Sequence, residues 1–503
     1  MKRVLSCALI AVFMIAAVPL VAQEAAQRPA GAPAAAPGHD AFYFLGVMNK
    51  ASAVMLNETG IVPPALASQI AKGVVQVIAQ GDKPGGKRPG DYLVFEEDLV
   101  AAAGPDTSRL HTGRSRQDLG STSARMQLRE GLLDVFESLG AARQQLLALA
   151  AQHQQTIIPA YTHGVQAQPT SLAHYLLALD AAFDRDAERF RQAYARINTS
   201  PLGAAALGTS GFPIDRKRLA VLLGFDGVVE NSYDANHVSP AETNAELASV
   251  VAISALAVGH FDQDLHTQYH QPVPWMTLKE GKLTGISSIM PQKRNPSALE
   301  QLRALSSTVI GDAQTVYFVE HNTTTGMSDY RGAGPTLQAV TKASRMYRLL
   351  RDVLVDLDIR PDRALAEVNA DYSTMTEVAD TLLRVANVPF RIGHHFASEL
   401  TTYGRGHGQT PKQIPYTEAV RIYKDVTGEK LPLTEAQFKE SLSAENMVFN
   451  RHGLGGPQIA EVKRMQQAQE ARLASDTGWV KDQRSKLQAA MTALNQAFEK
   501  LIS

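Results

Sequence analysis

The sequence predicts a mainly α-helical protein organised around a central bundle of long helices. Apolar residues recur at spacings of three and four between Phe42 and Gln80, which is the period of amphipathic helices. No part of the chain has a clear strand pattern. Four later stretches keep the helical period for longer, and they cover residues 119–149, 171–197, 242–269 and 298–318. Since a helix of about thirty residues spans about 45 Å, these stretches suit a bundle that is shared between subunits.

Length and composition bound the class of protein. At 503 residues, the chain has room for about three domains. Hydrophobic residues make up 45% of the chain and charged residues 20%, as in ordinary soluble globular proteins. Because 49 Lys and Arg residues balance 50 Asp and Glu residues, we predict no nucleic acid or other polyanion as a partner.

The first residues differ from the rest of the chain. Lys2 and Arg3 precede an apolar run that ends near Ala22, and a polar tract rich in Ala, Pro and Gly follows. We interpret residues 1–22 as a cleavable secretory signal and residues 23–40 as a disordered spacer. An uncleaved membrane anchor is the alternative. We therefore expect the processed chain to be periplasmic or secreted, without stable membrane association.

Cysteine and histidine usage does not favour a metal site. The only cysteine, Cys7, lies inside the apolar run, so the processed chain could form neither a disulfide nor a thiolate metal site. The pair His394 and His395 could be taken for metal ligands. Because the sequence places no carboxylate or cysteine cluster near them, we interpret this pair as structural.

The stretch GKLTGISSIMPQKRNPSALE, residues 281–300, is the most informative part of the sequence. Two adjacent serines precede a Lys-Arg-Asn cluster, and Pro296 can open the following helix as its first residue. Hydroxyls, a cation and an amide therefore converge where backbone N–H groups and the helix dipole favour an anion. This pattern predicts a carboxylate or phosphate site with a possible base in it. A polar surface loop is the structural alternative.

Two further polar turns precede predicted helices. The segment LHTGRSRQD, residues 110–118, places a glycine and two arginines ahead of a long helix. Such groups suit recognition of a carboxylate by forked hydrogen bonds. The segment 159–178 is a turn that carries His163 and enters another amphipathic helix. Taken alone, residues 110–118 are equally compatible with a solvated basic turn, and a single histidine such as His163 is more often an ordinary surface or core residue.

Together these segments resemble a known superfamily. Residues 286–295 resemble the signature loop of the fumarase and aspartase superfamily, Gly-Ser-Ser-x-x-Pro-x-Lys-x-Asn, with Ile286 in place of glycine. We call residues 281–296 the signature loop. Residues 110–118 resemble the His-x-Gly-Arg-Ser-Arg-Asn-Asp motif of the argininosuccinate lyase branch, with Gln117 in place of asparagine. The likeness covers about residues 42–400. The loop positions that match are Ser287, Ser288, Met290, Pro291, Lys293 and Asn295.

The resemblance implies a fold and an assembly. The expected fold is the three-domain fumarase/aspartase-like fold with a central bundle of long helices. Its domains would be an N-terminal helical domain at 41–118, the bundle domain at 119–374 and a C-terminal helical domain at 375–503. The resemblance also implies a homotetramer in which each active site takes residues from three chains.

The resemblance further implies a reaction that needs no metal or organic cofactor. This reaction eliminates an amine from an N-substituted aspartate and leaves fumarate. By resemblance Ser287 is the base, Lys293 and Asn295 stabilise the aci-carboxylate, and Glu300 supports His163 in proton delivery. The residues expected to contact the substrate are Ser115, Arg116, Gln117, Thr162, Ser288 and His321.

The specificity positions depart from those of argininosuccinate lyase. That enzyme holds the arginine part of its substrate with Tyr, Gln and Lys, where this chain has His321, Gly326 and Asp329. Its Ser-Asp-Arg-Asp turn reads HVSP here, at residues 237–240. Because a cation and an aromatic ring are lost and a carboxylate is gained, we expect a different substrate. We favour an aminodicarboxylic acid of the kind that ethylenediamine-disuccinate lyase accepts.

Two alternatives stay open at the level of sequence. The first is argininosuccinate lyase activity, with release of arginine and fumarate. The second belongs to another class, a non-catalytic periplasmic binding protein or pseudoenzyme, and Ile286 and Gln117 are the features in its favour. The sequence names neither the amine nor the physiological direction.

Overall fold

A computed structural model describes residues 39–327 and 333–503. The predicted signal, all but the end of the predicted spacer, and Asp329 lie outside these residues. Within the described residues the chain forms seventeen α-helices, numbered here from α1 to α17. In order they are Ala41–Glu58, Pro64–Gly81, Tyr92–Ala103, Arg116–Gln152, Leu172–Ile197, Arg216–Leu222, Ser232–His237, Ser239–Gln268, Ser297–Glu320, Gly334–Val355, Pro361–Ala370, Met375–Ala386, Phe390–Gly406, Tyr416–Thr427, Glu435–Ser441, Ala444–Phe449 and Ile459–Ile502.

Ten short strands form five two-stranded sheets among the described residues. β1 pairs with β4, β2 with β3, β5 with β6, β7 with β10 and β8 with β9. Each strand has only two or three residues, which is too short for an alternating pattern, and the sequence therefore did not predict them. In order they are Ile157–Ile158, Tyr161–Thr162, Val165–Gln166, Thr170–Ser171, Thr199–Ser200, Gly227–Val228, Met276–Leu278, Gly285–Ile286, Arg294–Asn295 and Leu357–Ile359.

The central bundle consists of α4, α5, α8, α9 and α10. The four predicted long helices are confirmed as α4, α5, α8 and α9, and α10 packs against α4 and α9. Their facing sides are apolar, so the bundle encloses the largest core of the described chain. Typical buried members of this core are Leu132, Leu146, Phe190, Val251 and Leu302.

Helices α4 and α8 run in one direction through the bundle, and α5 and α9 run in the opposite direction. Arg125, near the start of α4, donates to the carbonyl oxygen of Arg196 in the last turn of α5 (2.8 Å). Its guanidinium also donates to Ser239 at the start of α8 (3.0 Å). Asn244, near the start of α8, donates to Glu320, the last residue of α9 (2.7 Å). The bundle therefore has a first end, where α4 and α8 begin, and a second end, where α5 and α9 begin.

The last helix packs differently from the predicted domain grouping. Val462 and Val480 of α17 belong to the core of the bundle. Leu494 and Phe498 belong to a separate N-terminal core built mainly from α1, α2 and α3. The C-terminal core contains residues between Val378 and Leu442. The domain boundaries remain predictions, but α17 lies outside the C-terminal core because its apolar residues contact the other two.

Helix α8 has a composition found both in membrane-spanning helices and in the core helices of helical bundles. Within the described residues it is the one helix long and apolar enough to cross a membrane. Half of its apolar window is buried inside the bundle. This burial is typical of a core helix in a helical bundle.

Candidate active site

The signature loop forms a short hairpin at the second end of the bundle. Its strands β8 and β9 are antiparallel, with Gly285 opposite Asn295, and residues 287–293 form the tip. The backbone N–H of Ala298 donates to the carbonyl oxygen of Leu283 (3.0 Å). This bond joins the hairpin to the first turn of α9. The helix itself begins at Ser297, so the expectation that Pro296 is its first helical residue is wrong by one position.

Ser287 lies at the start of the hairpin tip, and its hydroxyl oxygen faces backbone donors. The N–H of Met290 donates to Oγ at 3.1 Å, and the N–H of Ile289 lies at 3.4 Å. Donors that point at an oxygen favour its anionic form. Sequence reasoning missed these donors because every residue except proline carries a backbone N–H, so no residue type marks them.

The two adjacent cations at the end of the hairpin tip, Lys293 and Arg294, have different surroundings. The Arg294 side chain is held in place by two hydrogen bonds. Its Nε donates to Glu280 (2.9 Å), and its Nη1 donates to the carbonyl oxygen of Pro291 (2.8 Å). Lys293 is exposed, and its ammonium group makes no ion pair with any residue that the structure describes. Arg294 thus holds the shape of the tip, and Lys293 is left to meet an anion.

His163 occupies a strained turn between β2 and β3, also at the second end. Tyr161 pairs with Gln166 and Thr162 with Val165, so the turn contains only His163 and Gly164. Their φ angles are +54° and +75°, which are the angles of a type I′ hairpin turn. A non-glycine residue at positive φ costs energy, and such strain is found at functional sites.

Two side-chain contacts hold this strained turn in place. The Tyr161 hydroxyl donates to the carboxylate of Glu367, and the amide of Gln166 donates to the Ser373 hydroxyl. Thr162 and His163, which lie between these two contacts along the chain, are exposed. The hairpin therefore presents its turn to the outside of the chain rather than to the bundle core.

Glu300, the predicted partner of His163, lies in the first turn of α9 and is exposed. Among the described residues of one chain, its carboxylate shares no hydrogen bond with the imidazole of His163. The predicted pair is therefore not formed inside one chain. It stays a prediction for an assembly of chains.

Ser115 caps the start of α4 at the first end of the bundle. Its hydroxyl accepts from the N–H of Gln117 (3.3 Å), and its own N–H donates to Asp118 (2.6 Å). The other oxygen of the buried Asp118 carboxylate accepts from the N–H groups of Gly203 (2.9 Å) and Ala205 (3.2 Å). The capping box thus fastens the predicted substrate-binding segment to the loop that follows α5.

The two arginines of this segment are also distinct. Arg114 is buried, and its guanidinium donates to Ser52 (2.8 Å) and Asn49 (2.7 Å) of α1. Arg116 is exposed, and its one ion pair with a described residue is a long one of 3.7 Å with Asp91. Since exposed pairs of this kind contribute little, Arg116 can exchange its partner for a substrate carboxylate, whereas Arg114 is scaffold.

His111 supports the same segment from the inside. Its ring stacks on Tyr92, with ring centroids 4.3 Å apart. Burial, assisted by the positive charge of Arg114, lowers the pKa of His111 to about 4. The folded chain therefore keeps this imidazole neutral, and the protonated form would oppose the local packing.

His321, the remaining predicted substrate contact, follows the last residue of α9 at the first end. Its Nδ1 lies 3.1 Å from the carbonyl oxygen of Phe318, and the residue is exposed. Gly326 lies in the following loop.

The structure therefore divides the predicted residues into two sets. The first-end set contains Ser115, Arg116, Gln117 and His321. The second-end set contains Thr162, His163, Ser287, Ser288, Lys293, Asn295 and Glu300. Helix α9 has 24 residues between these ends, a rise of about 36 Å. A small substrate cannot bridge that distance, so one chain does not bring the two sets together.

Comparison with known proteins shows the family of this chain. A family model described as lyase matches residues 60–311, and one described as argininosuccinate lyase C-terminal matches residues 372–449. Argininosuccinate lyase 2 of Agrobacterium fabrum is 35% identical to this chain over 82% of each sequence. The chain belongs to the argininosuccinate lyase branch of the fumarase/aspartase superfamily.

Two solved structures resemble this lyase closely. EDDS lyase in complex with formate has a TM-score of 0.85 at 28% identity, over 92% of each chain. An EDDS lyase variant with bound fumarate has a TM-score of 0.85 at 29% identity, also over 92% of each chain. The predicted mainly α-helical, fumarase/aspartase-like fold is confirmed. This chain is a carbon–nitrogen lyase of the fumarate-forming type.

The pKa of His111 predicts a pH effect on stability. Its folded pKa of about 4 lies below the ordinary value of 6.5. Stability from the neutral ring is therefore present above pH 6.5 and is lost as the pH falls toward 4. Replacement His111→Phe should remove about 1–3 kcal/mol of this acid dependence. Urea unfolding of both proteins between pH 7 and pH 4 measures the difference, and parallel curves would contradict the assignment.

Proposed function

We propose that this lyase removes an amine from an N-substituted aspartate, an aminodicarboxylic acid, and leaves fumarate by a reversible β-elimination. The observation that carries the proposal is the Ser287 oxygen, which accepts a hydrogen bond from the N–H of Met290 and has the N–H of Ile289 within 3.4 Å. Lys293 and Asn295 belong to the same hairpin. The fumarate bound to the related EDDS lyase variant supports the product class.

Each step has a residue of this chain to perform it. Ser287, as an alkoxide, takes the proton from the carbon next to a substrate carboxylate. The electron pair moves into that carboxylate to form the aci-carboxylate dianion, which Lys293 and Asn295 stabilise. The carbon–nitrogen bond then breaks, the double bond of fumarate forms, and the nitrogen leaves with a proton. In the assembled enzyme His163, supported by Glu300, delivers that proton.

The substrate differs from argininosuccinate in this proposal. His321 and Gly326 stand where an aromatic ring and an amide would hold an arginine part. Argininosuccinate cleavage is the second candidate, because relatives such as the one from Agrobacterium fabrum carry that name.

A panel of amines separates the candidates. The purified chain without residues 1–22 is incubated with fumarate and, in turn, with diamines, with arginine and with other amino acids. We expect loss of fumarate absorbance and a mass corresponding to the N-succinyl adduct with a diamine or an amino acid, and slower loss with arginine. Preference for arginine would contradict the substrate proposal. No loss of fumarate with any amine, and no release from N-succinyl compounds, would favour a binding protein.

Removal of the base tests the chemistry itself. Ser287→Ala should lower kcat by at least about a thousandfold, since the only proposed proton acceptor is lost. Ser288→Ala, one position away, is the matched control and should raise KM more than it lowers kcat. Thermal melting of both variants checks the fold. Equal kcat in the wild type and Ser287→Ala would exclude Ser287 as the base.

The proposal includes a homotetramer with shared sites. The separation of the first-end and second-end sets supports it, because residues from different chains must meet for both sets to touch one substrate. Exposed apolar side chains on the long helices also support it. They include Ile253, Leu256 and Phe318, which are 42%, 50% and 72% exposed in one chain.

Mixed oligomers test the sharing of sites. Ser287→Ala and Gln117→Leu each damage one set, and the two variants are co-expressed with different affinity tags. If each site joins different chains, about a quarter of the sites in a randomly mixed oligomer combine an intact Ser287 with an intact Gln117. Activity should then rise toward about a quarter of the wild-type value. Activity no higher than the mean of the two parents would mean that one chain supplies both residues.

The proposal also includes export of the chain. The basic and apolar pattern of residues 1–22 supports it. Amino-terminal sequencing of protein from the periplasmic fraction should start near residue 23. Intact chain confined to the cytosol would contradict export.

A further inference from the structure

A cavity of about 430 Å³ lies beside the strained His163 turn, between the turn, the start of α5 and the end of α8. Tyr161 and Gly164, which flank Thr162 and His163, line one side. Tyr175, Gln268 and Trp275 line the others. None of these lining residues has a role in the elimination described above.

One residue of the cavity lining carries a buried acceptor without a donor. Gln268 is only 4% exposed, and its Oε1 has no hydrogen-bond partner among the residues that the structure describes. Buried amide oxygens in proteins are nearly always hydrogen-bonded. A turn of the Gln268 amide toward the cavity would let the N–H groups of an occupant supply the missing donor.

The charge of the lining selects the same kind of occupant. Asp264 lines the cavity, and the Tyr175 hydroxyl donates to its Oδ2 (2.6 Å), which fixes the carboxylate and leaves Oδ1 available. Among the described residues that line the cavity, none is Lys, Arg or His. Three aromatic rings, those of Tyr161, Tyr175 and Trp275, complete the lining, and aromatic faces attract cations.

We propose that this cavity binds a small organic ammonium ion, recognised by the Asp264 carboxylate and the Gln268 amide oxygen. The amine released by the proposed elimination is such an ion at neutral pH. The identity of the physiological ligand therefore rests on the proposed function, whereas binding of the cation does not. Because Tyr161 and Gly164 border both the cavity and the His163 turn, an occupant contacts the turn that presents His163.

Three probes of equal chain length test how the charge of a ligand affects its binding to the cavity. They are n-butylamine, n-butanol and butyrate, which are cationic, neutral and anionic at neutral pH. Binding is followed by the fluorescence of Trp275 in a Trp479→Phe background, since the chain has only two tryptophans. We expect n-butylamine to bind at least about tenfold more tightly than either of the others. Equal binding of the three probes, or no binding of n-butylamine, would overturn the proposal.

Two variants test the recognising residues in the same full-length background. Asp264→Asn removes the charge from an exposed residue, and Gln268→Leu removes the buried acceptor with little change of volume. Each should weaken n-butylamine binding at least about tenfold. Glu280→Gln, a carboxylate outside the cavity, is the control and should leave binding unchanged. If thermal melting shows that Gln268→Leu is not folded, the binding measured for Asp264→Asn alone tests the proposal. Unchanged binding of n-butylamine in Asp264→Asn then overturns it.

The outcome can be separated from that of the proposed function. Binding is measured in Ser287→Ala protein, where no turnover consumes the probe, and turnover is measured in wild-type protein. Charge-selective binding without turnover of any amine would contradict only the proposed elimination. Turnover of amines with no charge-selective binding in the cavity would contradict only the cation site.

Discussion

The length of the bundle helices determines which predicted site residues of this lyase can lie close together in one chain. Helices α4, α8 and α9 run from one end of the bundle to the other. Polar contacts of Arg125 with Ser239 and Arg196 place the start of α4 beside the start of α8 and the end of α5. The predicted substrate-binding cap of α4 and the signature loop are therefore carried to opposite ends. In the proposed reaction, neither end of a single chain therefore carries both sets of residues.

The proposed chemistry depends on what surrounds the Ser287 hydroxyl. A serine is a weak base unless its environment favours the anion, and the N–H groups of Ile289 and Met290 supply part of that environment. The tip of the loop also exposes Ile286 and Ile289, at 81% and 82%. Apolar side chains of this kind exclude water when a loop closes on a surface, and exclusion of water strengthens nearby electrostatic interactions. Ile286, which replaces the family glycine, therefore fits a closing loop.

Much of the fold could be predicted from the sequence. The period of apolar residues predicted the long helices, because each buries one side in the bundle. The roles of Ser287, Lys293 and His163 come from the resemblance to the superfamily and stay predictions. The ends of the helices and the short strands could not be predicted in this way. They depend on single hydrogen bonds, such as that of Ala298 with Leu283, which leave no periodic signal.

Other features depended on contacts between distant residues. The sequence placed Arg114 and Arg116 in one motif as equals, and only their neighbours show that Arg114 is scaffold bound to Ser52 and Asn49. The separation of the two residue sets was equally hidden, because it follows from the direction of each helix. The cavity beside His163 was not predicted either, since Tyr175, Asp264 and Gln268 belong to helices that sequence reasoning treated as core.

The central claim is that one active site joins the second-end set of one chain to the first-end set of another. A structure of the full assembly with fumarate tests this claim most directly. The account predicts fumarate carboxylate oxygens within about 3 Å of Lys293 or Asn295 of one chain and of Ser115 or Gln117 of a neighbouring chain. Fumarate held entirely by residues at one end of a single chain would contradict it.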